Sequence, residues 1–193
     1  MAPRPERLLA ALLLACTLGA GAAEPWTLDR LMQGLAQTRT ARASFVEKKT
    51  VAVLERPLVS SGELSFTAPD RLEKRTLRPK PELLRLQGET LTLERAGRST
   101  VLDLRSYPEV AAFVESIRGT LAGDRRALEA VYRLQLEGGE SSWVLTLTPA
   151  DPAMRALVER IRIAGRRAEL SVIEIHQANG DGSLMSVQRL GAP

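Results

Sequence analysis

The side chains that could carry out chemistry are few and lie far apart in the 193 residues. His176 is the only histidine and Cys16 the only cysteine, so neither has a second imidazole or thiol with which to form an ordinary zinc site. No serine occupies the G-x-S-x-G pattern that presents a nucleophile in many hydrolases. We therefore expect no catalytic residue, no metal and no other cofactor, and we do not expect an enzyme.

Two acidic residues near the C-terminus allow a second chemical interpretation. Glu174 and Asp181 could act as paired carboxylates, and Gly180-Asp181-Gly182 could form a loop that binds a metal or a phosphate. A glycine turn joining two strands accounts for the same residues without a ligand. His176 ends the apolar strand at 170–175, where a strand-end position without a catalytic role is the simpler interpretation.

The charged residues argue against a nucleic-acid partner. The formal charge is +4, but basic and acidic residues are interleaved, as in Glu47-Lys48-Lys49 and Glu73-Lys74-Arg75. A nucleic-acid surface concentrates lysine and arginine on one face and adds exposed aromatic rings, whereas aromatics make up only 4% of this chain. The densest basic stretch, 71–85, is either a solvated strand face or a surface for anionic headgroups or an acidic partner.

Residues 1–23 have the layout of a secretory signal peptide. Arg4 and Arg7 precede an apolar run at 8–18, and small residues follow at 20–23. We expect cleavage after Ala22 or Ala23, which leaves one exported domain at 24–193 with no cysteine for a disulfide.

Cys16 leaves a membrane-anchored alternative open. The sequence Leu13-Leu14-Ala15-Cys16 partly resembles a lipobox, in which the cysteine would be lipidated and kept. Leu14 fits that motif poorly, so the soluble product is the favoured outcome.

The hydrophobic pattern predicts one helix followed by a meander of strands. Leu28, Leu31, Met32 and Leu35 form an amphipathic helix within 27–40. The apolar period then changes to two, and we count about eleven short strands separated by glycine and proline turns. Helical patterns interrupt the strands at 107–121, 124–131 and 151–158.

An eleven-stranded sheet with one apolar face must curl or split in order to bury that face. A closed barrel, a sandwich and a curved half-barrel plugged by the short helices are the three alternatives. The interior would be lined mainly by Leu, Ile and Val, either as a filled core or as a cavity for a hydrophobic ligand. The pattern alone slightly favours the filled core.

Several segments resemble LolA-type periplasmic lipoprotein carriers. They are Ala43-Ser44-Phe45-Val46-Glu47-Lys48, Gly62-Glu63-Leu64-Ser65-Phe66, Leu86-Gln87-Gly88-Glu89-Thr90-Leu91 and Trp143-Val144-Leu145-Thr146-Leu147-Thr148-Pro149. Each motif is short, but their order and spacing match the family across nearly all of 27–190.

This resemblance implies a mainly β (α+β) fold, an antiparallel incomplete β-barrel of about eleven strands with helices plugging an apolar cavity. The cavity would receive acyl chains of a lipoprotein or lipid and carry them across the periplasm toward the outer membrane. The partners would be transient inner- and outer-membrane proteins, and the carrier would be a monomer. The side chains expected to form the cavity wall and lid are Leu31, Leu35, Leu64, Phe66, Leu84, Leu86, Leu91, Leu93, Phe113, Ile117, Trp143 and Leu145.

The resemblance also leaves an alternative function, a periplasmic sensor or regulator that binds lipid or lipoprotein and modulates a partner protein. RseB-like regulators resemble LolA in this way but carry an additional C-terminal domain, so we expect carriage instead.

Two departures from the family pattern indicate a divergent branch. Ala68 stands where the family has an arginine that holds the helical lid shut, and Arg71, Lys74 or Arg75 could replace that latch. Leu91 and Leu93 stand at aromatic positions of the family, which would make the cavity more aliphatic.

Overall fold

The computed structural model describes residues 25–191, and the predicted signal peptide with Cys16 lies outside the described residues. The described part of the chain forms one antiparallel sheet of eleven strands with four α-helices. The strands are β1 (Thr40–Thr50), β2 (Leu58–Thr67), β3 (Arg71–Arg78), β4 (Glu82–Gln87), β5 (Thr90–Arg95), β6 (Arg98–Asp103), β7 (Tyr132–Gly139), β8 (Ser142–Pro149), β9 (Val158–Arg166), β10 (Glu169–Gln177) and β11 (Gly182–Arg189). The helices are α1 (Leu28–Ala36), α2 (Pro108–Ala122), α3 (Arg125–Val131) and α4 (Pro152–Arg155), and a 3-10 turn (Leu104–Ser106) follows β6.

The strand order shows how the two halves of the sheet meet. It is β6-β5-β4-β3-β2-β1-β11-β10-β9-β8-β7, so two meanders run outward from the central β1–β11 pair. The sheet is open, with β6 and β7 as its edges, and α2 and α3 lie between these two strands in the chain. The predicted antiparallel incomplete barrel with short helices is confirmed.

Helix α1 forms where its apolar spacing predicted, but it is shorter. The Thr27 hydroxyl caps its first turn by accepting from the Arg30 backbone N–H at 3.3 Å. Leu31, Met32 and Leu35 are buried, while the helix ends at Ala36 because β1 already begins at Thr40. No helix within 25–191 is both long and apolar enough to cross a membrane.

Helix α2 is bounded by residues suited to its two ends. Pro108 opens it, and Gly123 ends it in the left-handed region at φ +65°. A Cβ at Gly123 would lie 2.2 Å from the Met32 carbonyl oxygen. Glycine is therefore required both by the turn and by the close approach of α1.

The buried apolar residues form two clusters. The larger one packs α1 and α3 against β7, β8 and β9, and includes Leu31, Leu128, Tyr132 and Trp143. The smaller one packs α2 and the 3-10 turn against β4 and β5, through Leu86, Leu91, Leu104 and Val114.

Cross-strand ion pairs occupy much of the basic stretch 71–85. Glu73 lies opposite Arg85 in the β3–β4 ladder, and its carboxylate contacts Arg85 at 3.4 Å and Arg75 at 3.0 Å. Hydrogen bonds from these two arginines outweigh the opposing effect of burial and lower the pKa of Glu73. These groups are partly exposed, so the face is a solvated, paired surface of small energetic value.

Candidate functional site

A cavity of about 660 Å³ lies between the two core clusters, under the helices. Its walls are mainly apolar, with some charged and polar side chains, and are contributed by both halves of the sheet. From one half come Leu64, Phe66, Leu72, Leu84, Leu86 and Leu91, and from the other Leu170, Ile173, Ile175, Met185 and Val187. We call the sheet face that bears these side chains the inner face.

Strand register explains why these side chains share one face. Leu64 on β2 lies opposite Ala43 on β1 and opposite Lys74 on β3, and Lys74 in turn lies opposite Leu84 on β4. Because side chains in a strand alternate between the two faces of a sheet, the residues two positions before and after each of these lie on the same face. The alternation recognised in the sequence therefore builds a continuous apolar surface across neighbouring strands.

Helix α2 covers part of this surface. Phe113, Ile117 and Leu121 recur every four residues and line the cavity, together with Val110 and Val114 from the adjacent row. The Tyr132 hydroxyl on β7 donates to the Ala112 carbonyl at 2.8 Å and ties one side of the helix to the sheet. Burial raises the pKa of Tyr132 to about 12.

Arg118 ties the other side of α2 to the sheet. Its Nη1 donates to the Gly88 carbonyl in the β4–β5 turn at 3.0 Å and lies 3.6 Å from Glu89 Oε1. The same guanidinium donates through Nε and Nη2 to Glu115 Oε2, one turn earlier in the helix. We call the contact between Arg118 and Gly88 the α2 latch.

The basic residues expected to replace the missing latch at Ala68 bond elsewhere. Arg71 donates to Gln87 on β4, Lys74 to Glu47 on β1, and Arg75 to Glu73 on β3. The hydrogen bonds of these three residues therefore join strands to one another and do not reach α2. In the α2 latch the arginine comes from the helix and its acceptor from the sheet, which is the reverse of the arrangement that the family pattern implies.

An ion pair interrupts the apolar inner wall. Lys74 Nζ lies 2.5 Å from Glu47 Oε2 and 5.0 Å from the centre of the Phe45 ring, and Ser60 Oγ donates to the same carboxylate at 3.4 Å. Both charged residues line the cavity and are mostly buried, with side-chain exposures of 27% for Lys74 and 16% for Glu47. An ammonium has three N–H donors, so Lys74 retains donors for a polar group of a bound molecule.

Eight of the twelve predicted wall and lid residues line the cavity. They are Leu35, Leu64, Phe66, Leu84, Leu86, Leu91, Phe113 and Ile117. Their part in binding a ligand stays a prediction.

The other four predicted residues lie outside the cavity lining. Leu31, Trp143 and Leu145 are fully buried in the larger core cluster, and Leu93 is half-buried on β5. The Trp143 ring packs against Gly165, and its Nε1 donates to the Arg167 carbonyl at 2.8 Å. At this end of the inner face, α1 and α3 pack directly against the strands.

The structure also adds wall residues that sequence reasoning missed. Ile173, Ile175, Met185 and Val187 lie on β10 and β11, whose sequences alternate less regularly than the other strands. The Glu47–Lys74 pair was missed because only the strand register brings these two residues together.

The acidic residues near the C-terminus have structural contacts. Glu174 pairs with Arg162 at 3.3 Å and with His176 at 2.8 Å, across and along β9 and β10. Asp181 Oδ1 accepts from the Ala52 backbone N–H at 2.8 Å. Within 25–191, no group of three or more His, Cys, Asp or Glu residues is arranged to hold a metal ion.

Comparison with known proteins agrees with this architecture. Residues 20–188 match the family model described as "Outer membrane lipoprotein carrier protein LolA-like". The chain belongs to this LolA-like family. It is also 26% identical, over 97% of its length and 87% of the relative, to the outer-membrane lipoprotein carrier protein of Ralstonia nicotianae.

Solved structures at low sequence identity align with most of this chain. A LolA superfamily protein from Nitrosomonas europaea aligns with 86% of this chain and 95% of its own, at 11% identity and a TM-score of 0.45. The lipoprotein LppX of Mycobacterium tuberculosis aligns with 83% of this chain and 91% of its own, at 12% identity and a TM-score of 0.45. The match to the family model confirms the LolA-type resemblance seen in the sequence.

Proposed function

We propose that this protein is a periplasmic carrier that holds acyl chains of a lipoprotein, or of another lipid, in the cavity under α2 and moves them toward the outer membrane. The supporting observation is the cavity itself, about 660 Å³ in volume and lined mainly by apolar side chains from both halves of the sheet. Family membership and the lipoprotein carrier of Ralstonia nicotianae support the same assignment. Residues 1–23 would direct export and be removed.

The energetics of such a carrier follow from burial alone. Each methylene moved from water into an apolar site contributes about 0.8 kcal/mol, so ten methylenes contribute on the order of 8 kcal/mol before the cost of association. A cavity of 660 Å³ is within the range of roughly 300–1,000 Å³ that small-molecule sites occupy. Uptake therefore needs neither a catalyst nor a cofactor.

Release is the harder step, because the same burial opposes it. Helix α2 covers the cavity and is joined to the sheet by two identifiable hydrogen bonds, one through Arg118 and one through Tyr132. We propose that transient protein partners at the inner and outer membranes load and unload the cavity by displacing this helix.

A pair of adjacent substitutions tests the site. Ala43 lines the cavity, whereas Ser44 lies on the opposite face of β1. Ala43→Phe would occupy space that an acyl chain needs. Losing the burial of even two methylenes costs about 1.6 kcal/mol, so affinity for a fluorescent fatty acid should fall about fifteenfold.

Ser44→Phe is the matched control and should bind like the unmodified protein. Equal affinities for both variants would place the ligand outside the cavity. No binding by the unmodified protein would contradict the carrier function itself.

A further inference from the structure

The loop between β1 and β2 is unusually apolar for a hairpin tip. Residues 51–57 read Val-Ala-Val-Leu-Glu-Arg-Pro, whereas such loops are ordinarily rich in Gly, Asn, Asp and Ser. Val53 is 89% exposed, and Leu54 and Leu58 are exposed as well. The three side chains contribute nothing to either core cluster, so their apolar character has no explanation in the folding of this chain.

Hydrogen bonds hold the tip in this shape. The Val51 carbonyl accepts from the Leu54 N–H at 2.8 Å, which closes a turn around Val53. Asp181, in the β10–β11 turn, accepts from the Ala52 N–H at 2.8 Å. The exposed apolar side chains are therefore presented on a fixed support.

Basic residues surround the same tip. Three exposed cations lie beside it: Lys48, Lys49 and Arg56. Among residues 48–58, only Glu55 is acidic. In the part of the chain that the structure describes, none of these three cations takes part in an ion pair, whereas Arg75 and Arg85 on β3 and β4 share Glu73. The tip combines exposed apolar side chains with a small excess of positive charge, these three cations against the carboxylates of Glu55 and Asp181.

The tip and one end of the cavity lie at the same end of the sheet. Lys49, Asn179, Gly182 and Ser183 line the cavity there, at the end of β1 and around the β10–β11 turn to which Ala52 is bonded. A surface in contact with the tip would therefore lie beside this end of the cavity.

We propose that the β1–β2 tip docks the protein on an anionic lipid surface, with Val53 and Leu54 entering the interface and Lys48, Lys49 and Arg56 facing the headgroups. Apolar residues flanked by lysine and arginine are the composition that inserts shallowly into charged membranes. A protein partner is less suited to this feature, because a stable protein interface buries about 800 Å² on each side and the tip is a single short loop, 51–57. The docking goes beyond the proposed function and does not depend on the cavity being filled.

Vesicle co-sedimentation tests this proposal on the protein purified from the periplasm of expressing cells. The vesicles are pure phosphatidylcholine or equal parts phosphatidylcholine and phosphatidylglycerol. We expect binding to the mixed vesicles, weaker binding to the neutral ones, and a further decrease as added salt shortens the screening length. Val53→Asp should lower partitioning about tenfold or more, since it removes the most exposed apolar side chain and adds a repelled charge.

Val101→Asp is the matched control. Val101 is also a highly exposed valine, at 64%, but it lies on the edge strand β6. This variant should bind the mixed vesicles as well as the unmodified protein does. Equal losses in Val53→Asp and Val101→Asp, or no vesicle binding by the unmodified protein, would overturn the proposal.

Two further measurements separate this proposal from its alternatives. Val53→Asp should bind a fluorescent fatty acid in solution with unchanged affinity, which shows that the fold and cavity are intact. If the unmodified protein bound native membrane vesicles containing proteins but not pure lipid vesicles, the lipid assignment would be wrong and the tip would be a protein-docking surface.

Discussion

Replacing Arg118 with methionine would break the α2 latch without removing apolar surface from the helix. The substitution removes the 3.0 Å hydrogen bond to the Gly88 carbonyl and the 3.6 Å approach to Glu89, both of which join the helix to the sheet. The pair with Glu115 lies within α2 and is not itself changed when the helix moves away. A hydrogen bond from a charged donor contributes about 1.5–3 kcal/mol. Because Arg118 is partly exposed, we take about 1–2 kcal/mol, which corresponds to roughly a 5- to 30-fold change in the fraction of molecules with α2 displaced.

Hydrogen exchange of the α2 amides measures that fraction directly, since exchange of a protected amide follows the population of the opened state. Arg118→Met should raise the exchange rates across α2 roughly 5- to 30-fold and leave those of β8 and β9 unchanged. The release rate of a bound fluorescent fatty acid should rise in parallel. Adding Glu115→Gln removes the carboxylate left unpaired by the first substitution and should preserve the effect.

Arg125→Met provides the control for this prediction. Arg125 also forms ion pairs, but it links α3 to α1 through Asp29 and to Glu129 within α3. Its loss should leave exchange in α2 unchanged. If Arg118→Met folded normally with unaltered exchange and release, or if both variants loosened α2 equally, the latch assignment would be refuted.

Two further predictions concern buried polar groups. Lys74→Met should weaken binding of a fatty acid about tenfold, because the removed N–H donors serve the carboxylate, whereas the affinity for an alcohol of the same chain length should change by less than about twofold. Displacement of a fluorescent ligand measures both affinities. Equal losses for the acid and the alcohol would argue against a contact between Lys74 and the carboxylate. Burial raises the pKa of Tyr132 to about 12 in the folded protein, against an ordinary value of 10.0. Tyr132 therefore ionises at a lower pH in the unfolded chain than in the folded protein. The free energy of unfolding should fall by on the order of 2–3 kcal/mol as the pH rises from 10 to 12. Chemical denaturation across that pH range should show this decrease in the unmodified protein and a smaller decrease in Tyr132→Phe. If the free energy of unfolding fell equally with pH in both proteins, the raised pKa of Tyr132 would not be the cause.

The strands and their face could be predicted from sequence because alternation is a local property. Leu64 and Phe66, or Leu84 and Leu86, show the period of two within a few residues, and strand pairing then brings them together on one wall. Alternation does not show whether that wall faces a cavity or packs against helices. Trp143 has the same period as Leu64, yet it faces the packed core under α1 and α3 while Leu64 faces the cavity.

The polar features of the site depend on contacts between distant parts of the chain. Glu47 and Lys74 are 27 residues apart and meet only through the register of β1, β2 and β3. Arg118 and Gly88 are 30 residues apart and meet only once α2 has settled against the β4–β5 turn. A family pattern could indicate that a latch is needed, but not that its arginine would come from the helix.

The most direct test of the carrier account is native mass spectrometry of the protein purified from the periplasm, with gentle activation to eject any bound molecule. If the protein is a carrier, activation should release a lipid or acylated peptide of defined mass from the unmodified protein and from Ser44→Phe, and less of it from Ala43→Phe. The mass of the protein itself should correspond to cleavage after Ala22 or Ala23. A protein that is empty as purified and takes up no fluorescent fatty acid would contradict the account.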